Sequence, residues 1–269
     1  MANEKDKKDD LHKRDQINES MKHPLMVEIP AGEFLMGTSD QQIAVLLETE
    51  KWAEEWVEEG MFQVEQPQHK VELQSFEIGL YPVSNIDYYS FIYNTGHRVP
   101  KNWIGYHYAD GEANFPVAGI SKKDALAYCE WISKNLKTIY RLPNEAEWEK
   151  AARGTDGRIY PWGDFFDPWR CNTLESAKRA TTANGSYSPS GDSIYGIADM
   201  VGNVWEWTSS FLLPYPFKNI SEKEANTNKC VVRGGAWYYS HKLARCAARE
   251  TVLADYVSPA LGFRLARSI

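Results

Sequence analysis

No stretch of 18 or more apolar residues occurs in this chain, so no segment is long enough to cross a bilayer as a helix. A broad basic face is lacking as well. Against 37 Asp and Glu stand only 30 Lys and Arg, a net charge of -7, which excludes gripping nucleic acid or an anionic membrane through general positive charge. The first ten residues, Met1-Ala2-Asn3-Glu4-Lys5-Asp6-Lys7-Lys8-Asp9-Asp10, place charges where a secretion signal needs an apolar core, and a cytoplasmic location is expected. Cysteine is scarce. Cys129, Cys171, Cys230 and Cys246 lie far apart with no C-x-x-C pair, so neither a disulfide framework nor zinc-ligand spacing is present and buried reduced thiols are expected. There is no internal repeat of the solenoid kind and no Gly-x-Ser-x-Gly elbow for a nucleophilic serine.

Apolar residues make up 43% of the 269 residues and include ten Trp, enough for a sizeable core in one compact domain. Residues 1–24 are charged and almost free of aromatics, which cannot repay the entropy of ordering, and they read as a tail ahead of a domain at 25–269. Val27 to Gly37 alternates apolar and polar residues around Pro30-Ala31-Gly32, which predicts a hairpin. From Ser39 to about Met61, Ile43, Leu46, Leu47, Trp52, Trp56 and Val57 among many glutamates predict one or two amphipathic helices. Alternation returns from His69 to Tyr81. Ser121-x-x-Asp124 and Asn144-x-x-Glu147 have capping-box form, the second opening a short helix that Gly154 ends. Beyond it Gly, Pro, Asn and Ser recur to Gly196, so later strands should be short. The sum is an α+β domain.

Five signatures follow one another in the C-terminal half: Arg141-Leu142-Pro143-Asn144-Glu145-Ala146-Glu147-Trp148-Glu149, Tyr160-Pro161-Trp162-Gly163-Asp164, Gly202-Asn203-Val204-Trp205-Glu206-Trp207, Arg233-Gly234-Gly235-Ala236-Trp237 and Gly262-Phe263-Arg264. Their order and spacing resemble the formylglycine-generating enzyme family, also called the sulfatase-modifying-factor family, from about Met26 to Ala266. The resemblance implies a variant of the C-type lectin fold with short strands, few helices and much irregular chain. It also implies a structural Ca2+ held by Asp199, the carbonyls of Gly202 and Val204, and Glu206, oxygen donors of the kind calcium accepts. A second family site would begin at Asn172 and the carbonyl of Thr173, with Glu175 or Ser176 near its acidic member.

The family's enzymes oxidise a substrate cysteine with O2 through Cu(I) held by two thiolates, a ligand type that Tyr or Ala cannot replace. Here the matching stretch, Trp237-Tyr238-Tyr239-Ser240-His241-Lys242-Leu243-Ala244-Arg245-Cys246, keeps Cys246 alone, so no copper is expected. A related branch binds iron through His-x3-His-x-Glu. The histidines at 12, 23, 69, 97, 107 and 241 never make that spacing, so no iron is expected either. Cys129 falls where secreted members carry a cysteine that bridges to one near the C-terminus, but Gly262-Phe263-Arg264-Leu265-Ala266 supplies no partner.

Arg233, Arg249 and Arg264 read mainly as structural cations stacked on Trp205, Trp207 and Trp237, with a ligand pocket as the alternative. Between the motifs, Tyr238, Tyr239, His241, Arg249, Glu250 and Tyr256 lie on the segment that forms the enzymes' groove and, in the variable proteins of diversity-generating retroelements, displays ligand-binding residues. Tyrosine-rich surfaces suit recognition. The sequence therefore reads as a pseudoenzyme binding a protein or peptide partner, neither nucleic acid nor membrane. Alternatives are an oxidase of the formylglycine-generating type acting through Cys246, and a retroelement variable protein.

Overall fold

A computed structural model describes residues 23–216 and 229–269. Most of the expected tail at 1–24 lies outside these. Among the described residues, three small sheets and four α-helices surround a fifth that is buried along its whole length. Strands β1 (Met26–Ile29), β4 (Phe76–Gly79) and β9 (Ala266–Ser268) form one antiparallel sheet in the order β1-β4-β9, so the first and last strands flank β4. Strands β2 (Gly32–Met36) and β3 (His69–Leu73) pair separately. The largest sheet runs β7-β6-β5-β8, built from β5 (Trp205–Phe211), β6 (Lys229–Arg233), β7 (Arg249–Leu253) and β8 (Leu261–Gly262). The α+β class and short strands agree with expectation.

The hairpin expected around Pro30-Ala31-Gly32 does not form, because β1 and β2 join different sheets. The turn is held open by Lys150, whose Nζ donates to the carbonyls of Pro30 at 2.7 Å and Gly32 at 2.9 Å. Alternation reported strands correctly but not their partners, since a period of two says which face is buried and nothing about which neighbour supplies the hydrogen bonds.

Helices begin where their caps predict. Ser39 opens α1 (Asp40–Thr49), Ser84 opens α3 (Asn85–Thr95), Ser121 opens α4 (Lys122–Leu136) and Asn144 opens α5 (Glu145–Arg153), each with a complete capping box. Helix α2 (Trp52–Glu58) follows α1 with no side-chain cap. All nine residues of α5 are buried, five of them charged.

Those charges survive burial because each has a partner. Glu149 lies between two guanidinium groups, Arg153 at 2.7 Å and Arg233, and also accepts from the Gly37 N–H at 2.7 Å. Burial alone would push its carboxyl up, but Arg233, Arg153 and the Gly37 amide outweigh it and hold the group below the usual range. Glu145 meets Arg249 at 2.7 Å, yet burial wins and its carboxyl is raised. Glu147 takes Arg141 in a two-bond fork at 2.7 Å for each bond. Trp148 donates to Glu206 at 2.8 Å, and Glu206 in turn receives Arg264 through two bonds of 2.7 Å.

Arg233, Arg249 and Arg264 are thus structural, as weighted from sequence, but their partners are carboxylates and different rings from those expected. Arg233 lies 5.5 Å from the centre of Trp148, and Arg249 4.2 Å from that of Tyr215. Trp205 and Trp207 are core residues. Among the described residues no helix is long and apolar enough to cross a membrane.

Removing one member of a buried ion pair strands the other, at a cost of about 3–5 kcal/mol. Glu149→Ala should lower the thermal midpoint by roughly 10 °C, read by circular dichroism against wild type. A shift of under about 2 °C would show that the Arg153 and Arg233 pairs do not support the fold.

Candidate functional site

The C-terminal segment leaves β6 through Gly234 and Gly235 and lays an aromatic run across the end of the core. The Trp237 N–H donates to the Asn203 carbonyl at 3.1 Å, and the Leu174 N–H donates to the Tyr239 carbonyl at 3.0 Å, so two loops fasten the run on either side. The Tyr238 and Tyr239 rings stack at 4.5 Å, Trp237 meets Tyr238 edge-on at 4.8 Å, and Tyr239 meets Trp205 edge-on at 5.8 Å. The Tyr238 hydroxyl pairs with Ser258 Oγ at 2.9 Å. Burial, then Tyr238, Tyr256 and Glu250, raise the half-buried Tyr239 phenol well above its ordinary value. Glu250 is exposed on β7, and Tyr256, in the turn after it, is 45% exposed.

Two expected members behave differently. Arg249 is buried and committed to Glu145 and the carbonyls of Val64 and Leu213, so it presents nothing to a ligand. His241 starts a 3-10 turn (His241–Leu243) and is clamped: Nδ1 meets Glu175 at 2.9 Å, Nε2 meets Glu50 at 3.1 Å, and Phe166 stacks on the ring at 4.2 Å. Trp52 Nε1 also donates to Glu50, at 3.0 Å. The clamp ties the ends of α1 and α2 to the C-terminal segment. Sequence reasoning missed Glu50, Trp52 and Phe166, because partners this far apart in the chain carry no local pattern.

Cys246 lies in the interior, in a cluster with Trp148, Ala151, Ala152 and Ala244. Burial pushes its thiol up to about 12, the reverse of what a nucleophile or a copper ligand needs. All four cysteines are buried and free, and burial likewise pushes Cys129 and Cys171 up to about 12.

The Asp199 to Glu206 loop curls tightly, with Asp199, Gly202 and Asn203 at φ of 54°, 77° and 63°. A Cβ on Gly202 would stand 2.6 Å from the Asn172 carbonyl, so only glycine fits there. Asp199 is buried and accepts from the Gly185 N–H at 2.6 Å. Desolvation pushes its carboxyl up to about 6, against the pull of that amide and of Arg264. A buried carboxyl in such a loop suits a cation. Glu206 would share its charge with Arg264. Among the described residues no three His, Cys, Asp or Glu side chains converge as a metal group, so carbonyl oxygens are essential to any site here.

The expected second site is a hydrogen-bond knot. Asn172 Nδ2 reaches the Ala180 carbonyl at 2.9 Å and Asn203 Oδ1 at 3.1 Å, its Oδ1 accepts from Ser176 Oγ at 2.9 Å, and the Thr173 carbonyl accepts from the same hydroxyl at 2.8 Å. Glu175 is turned to His241 instead of toward Asn172.

The architecture and motif loops define a C-type-lectin-like α+β domain. The chain belongs to the sulfatase-modifying-factor family: the model for the sulfatase-modifying factor enzyme 1-like domain matches residues 13–269, starting inside the segment read as a tail. The formylglycine-generating enzyme of Mus musculus is 30% identical over 90% of this chain and 74% of its own length, and that of Streptomyces coelicolor 31% over 89% and 88%. The inactive C-alpha-formylglycine-generating enzyme 2 of Bos taurus is 28% identical over 90% and 87%. PvdO from Pseudomonas aeruginosa superposes with a TM-score of 0.72 at 24% identity, covering 91% of this chain and 95% of its own. Variable protein 1 of Treponema denticola gives 0.70 at 20%, with the same coverage. These two structures show a shared fold.

Burial alone would raise the Glu175 carboxyl, but its bonds with the His241 ring and backbone N–H bring it down to about 2 from 4.5. A carboxyl lowered in the folded state stabilises above its unfolded value and loses that contribution as the pH falls toward its folded value. Wild type should therefore exceed Glu175→Gln in urea midpoint at pH 6, and the gap should close from about pH 4.5 downward. A gap unchanged at pH 3 would show that ionised Glu175 is not what holds His241.

Proposed function

We propose that this chain is a non-catalytic member of its family that binds a protein or peptide partner through the face of Tyr238, Tyr239, Glu250 and Tyr256, with calcium stiffening the Asp199 loop beneath. One contrast supports this reading best: Tyr256 is exposed and Tyr238 and Tyr239 are half-buried, while the segment's cysteine is sealed in the core. An oxidase acting on a peptide thiol needs a reachable thiolate pair, and the segment offers one buried thiol. Identity does not decide the matter, because relatives named as enzymes and as inactive lie within a few per cent of one another. The cysteines separate the two readings. Tyrosine supplies a large contact area at a low entropy cost, and a tyrosine-rich face set on a rigid core suits peptide recognition.

Tyr256 is the cleaner probe, since Tyr239 also packs against Tyr238 and Trp205. Peptides selected from a displayed random library on the wild-type protein should bind Tyr256→Ala at least tenfold more weakly, with the thermal midpoint unchanged. Equal affinity would move the binding face elsewhere. In the companion assay the protein is given Cu(I) under reducing conditions and then a Cys-x-Pro-x-Arg peptide in air. The peptide thiol should persist by mass spectrometry, and conversion to an aldehyde would overturn the non-catalytic reading.

For the cation, millimolar CaCl2 at pH 7.5 should raise the thermal midpoint of wild type and leave Asp199→Ala unmoved. The Asp199 carboxyl is raised to about 6, so it is ionised at pH 7.5 and takes up its proton below about 6. The calcium increment should accordingly shrink at pH 5. An increment of equal size in Asp199→Ala would remove this residue from any calcium site.

A further inference from the structure

The hairpin of α1 and α2 carries an apolar groove with no counterpart in the tyrosine face. Ile43, Ala44 and Leu47 of α1 form one wall, Val57 the other, and Trp56 and Phe62 the floor, enclosing about 340 Å³. Leu47 and Val57 are 40% and 46% exposed, large aliphatic side chains left in water at the mouth of a cleft. Exposed apolar surface gathered in a groove marks a contact site more often than an accident.

The charges around the groove select its occupant. Asp40, Glu48, Glu54, Glu55, Glu58 and Glu59 are all exposed, and none forms an ion pair with a described residue. Lys51 is the single base between Asp40 and Glu59. Glu54 and Glu55 lie in the first turn of α2, where the helix dipole favours anions, but Glu48 lies in the last turn of α1 and Glu58 ends α2, where it disfavours them, and neither last turn holds a basic residue. Helix stability alone would not put carboxylates there. A cationic partner would offset both the dipole cost and the mutual repulsion.

We infer that the α1–α2 groove docks a basic amphipathic helix of a partner protein, its apolar stripe seated between Leu47 and Val57 and its lysines or arginines facing the surrounding carboxylates. A helix fits better than a small molecule. The lining offers only Asp40, Gln63 and Gln66 as polar groups, too few to orient a compact polar ligand, whereas the charges are spread along the lengths of both helices. A membrane surface is disfavoured, since anionic lipid would meet six carboxylates. The inference is independent of the tyrosine face.

The test uses the full chain and a fluorescein-labelled 18-residue peptide of Leu and Lys patterned as an amphipathic helix, read by anisotropy at low salt. Binding should weaken at least tenfold with Leu47→Glu plus Val57→Glu, at least tenfold with Glu48, Glu54, Glu55 and Glu58 all changed to Gln, and steeply with added salt. All four glutamates are exposed, so the Gln variant remains folded and keeps the test decisive if the groove variant loses stability. The same peptide with Glu for Lys should not bind. Unchanged affinity in either variant, equal binding of a scrambled Leu and Lys peptide, or no binding at all would overturn the inference. So would a concentration-dependent dimer that Leu47→Glu abolishes, which would give the groove to a second copy of the chain.

Discussion

Everything else in this domain is arranged around a helix that has been buried with its charges. Helix α5 places Glu145, Glu147, Glu149, Lys150 and Arg153 on successive positions with no face left for solvent. An ionised carboxylate in such a place costs several kcal/mol unless a cation and further hydrogen bonds meet it. The chain answers from remote positions: Arg233 at the end of β6, Arg249 at the start of β7, Arg141 ahead of the helix, and the carbonyls of Pro30 and Gly32 on the far side. Because each partner comes from a different element, satisfying the helix fixes where all of those elements sit.

This explains how a chain with short strands and long irregular stretches keeps one shape. Hydrophobic contact is tolerant of small displacements, but a two-bond Arg–carboxylate fork is not. Arg264 holds Glu206 and at the same time donates to the carbonyls of Gly79, Ala198 and Asp199, so one guanidinium joins β5, the end of β4 and the motif loop. Arg245 does the same for the outer hairpin, taking Glu65 through bonds of 2.7 and 2.8 Å inside a cage of Trp52, Trp56 and Phe62. The aromatic run packs on the apolar core that holds Trp205 and Trp207, with Tyr238 and Tyr239 half-buried and Tyr256 exposed.

What the sequence shows and hides follows from the range of each interaction. Capping boxes are local, so Ser121 and Asn144 announce their helices within three residues. Two of the glycines in the ordered motifs meet a close backbone approach, Gly202 against Asn172 and Gly262 against Val117, which ties those motifs to the family's fold. Pairing of β1 with β4 rather than β2, and the closing of Glu50 and Glu175 on His241, depend on chain separations that no window of sequence spans. Arg249 was open to two readings for the same reason. A lone arginine in a motif looks alike whether its carboxylate is in a ligand or, as here, 104 residues away in α5.

The frame also bears on why a catalytic and a non-catalytic member can share it. Within the C-terminal segment the six residues from Ala244 to Arg249 are buried, and Tyr238, Tyr239 and Leu243 pack partly on the core, while Glu250, Leu253 and Tyr256 are exposed. The exposed positions from Tyr238 to Tyr256 are therefore free to change without disturbing α5. A thiolate pair placed there would serve oxidation, and a cluster of tyrosines serves contact, on the same support. Fold is thus a poor guide to activity in this architecture. The chemistry of a handful of outward side chains, read against a core that does not depend on them, is the better one.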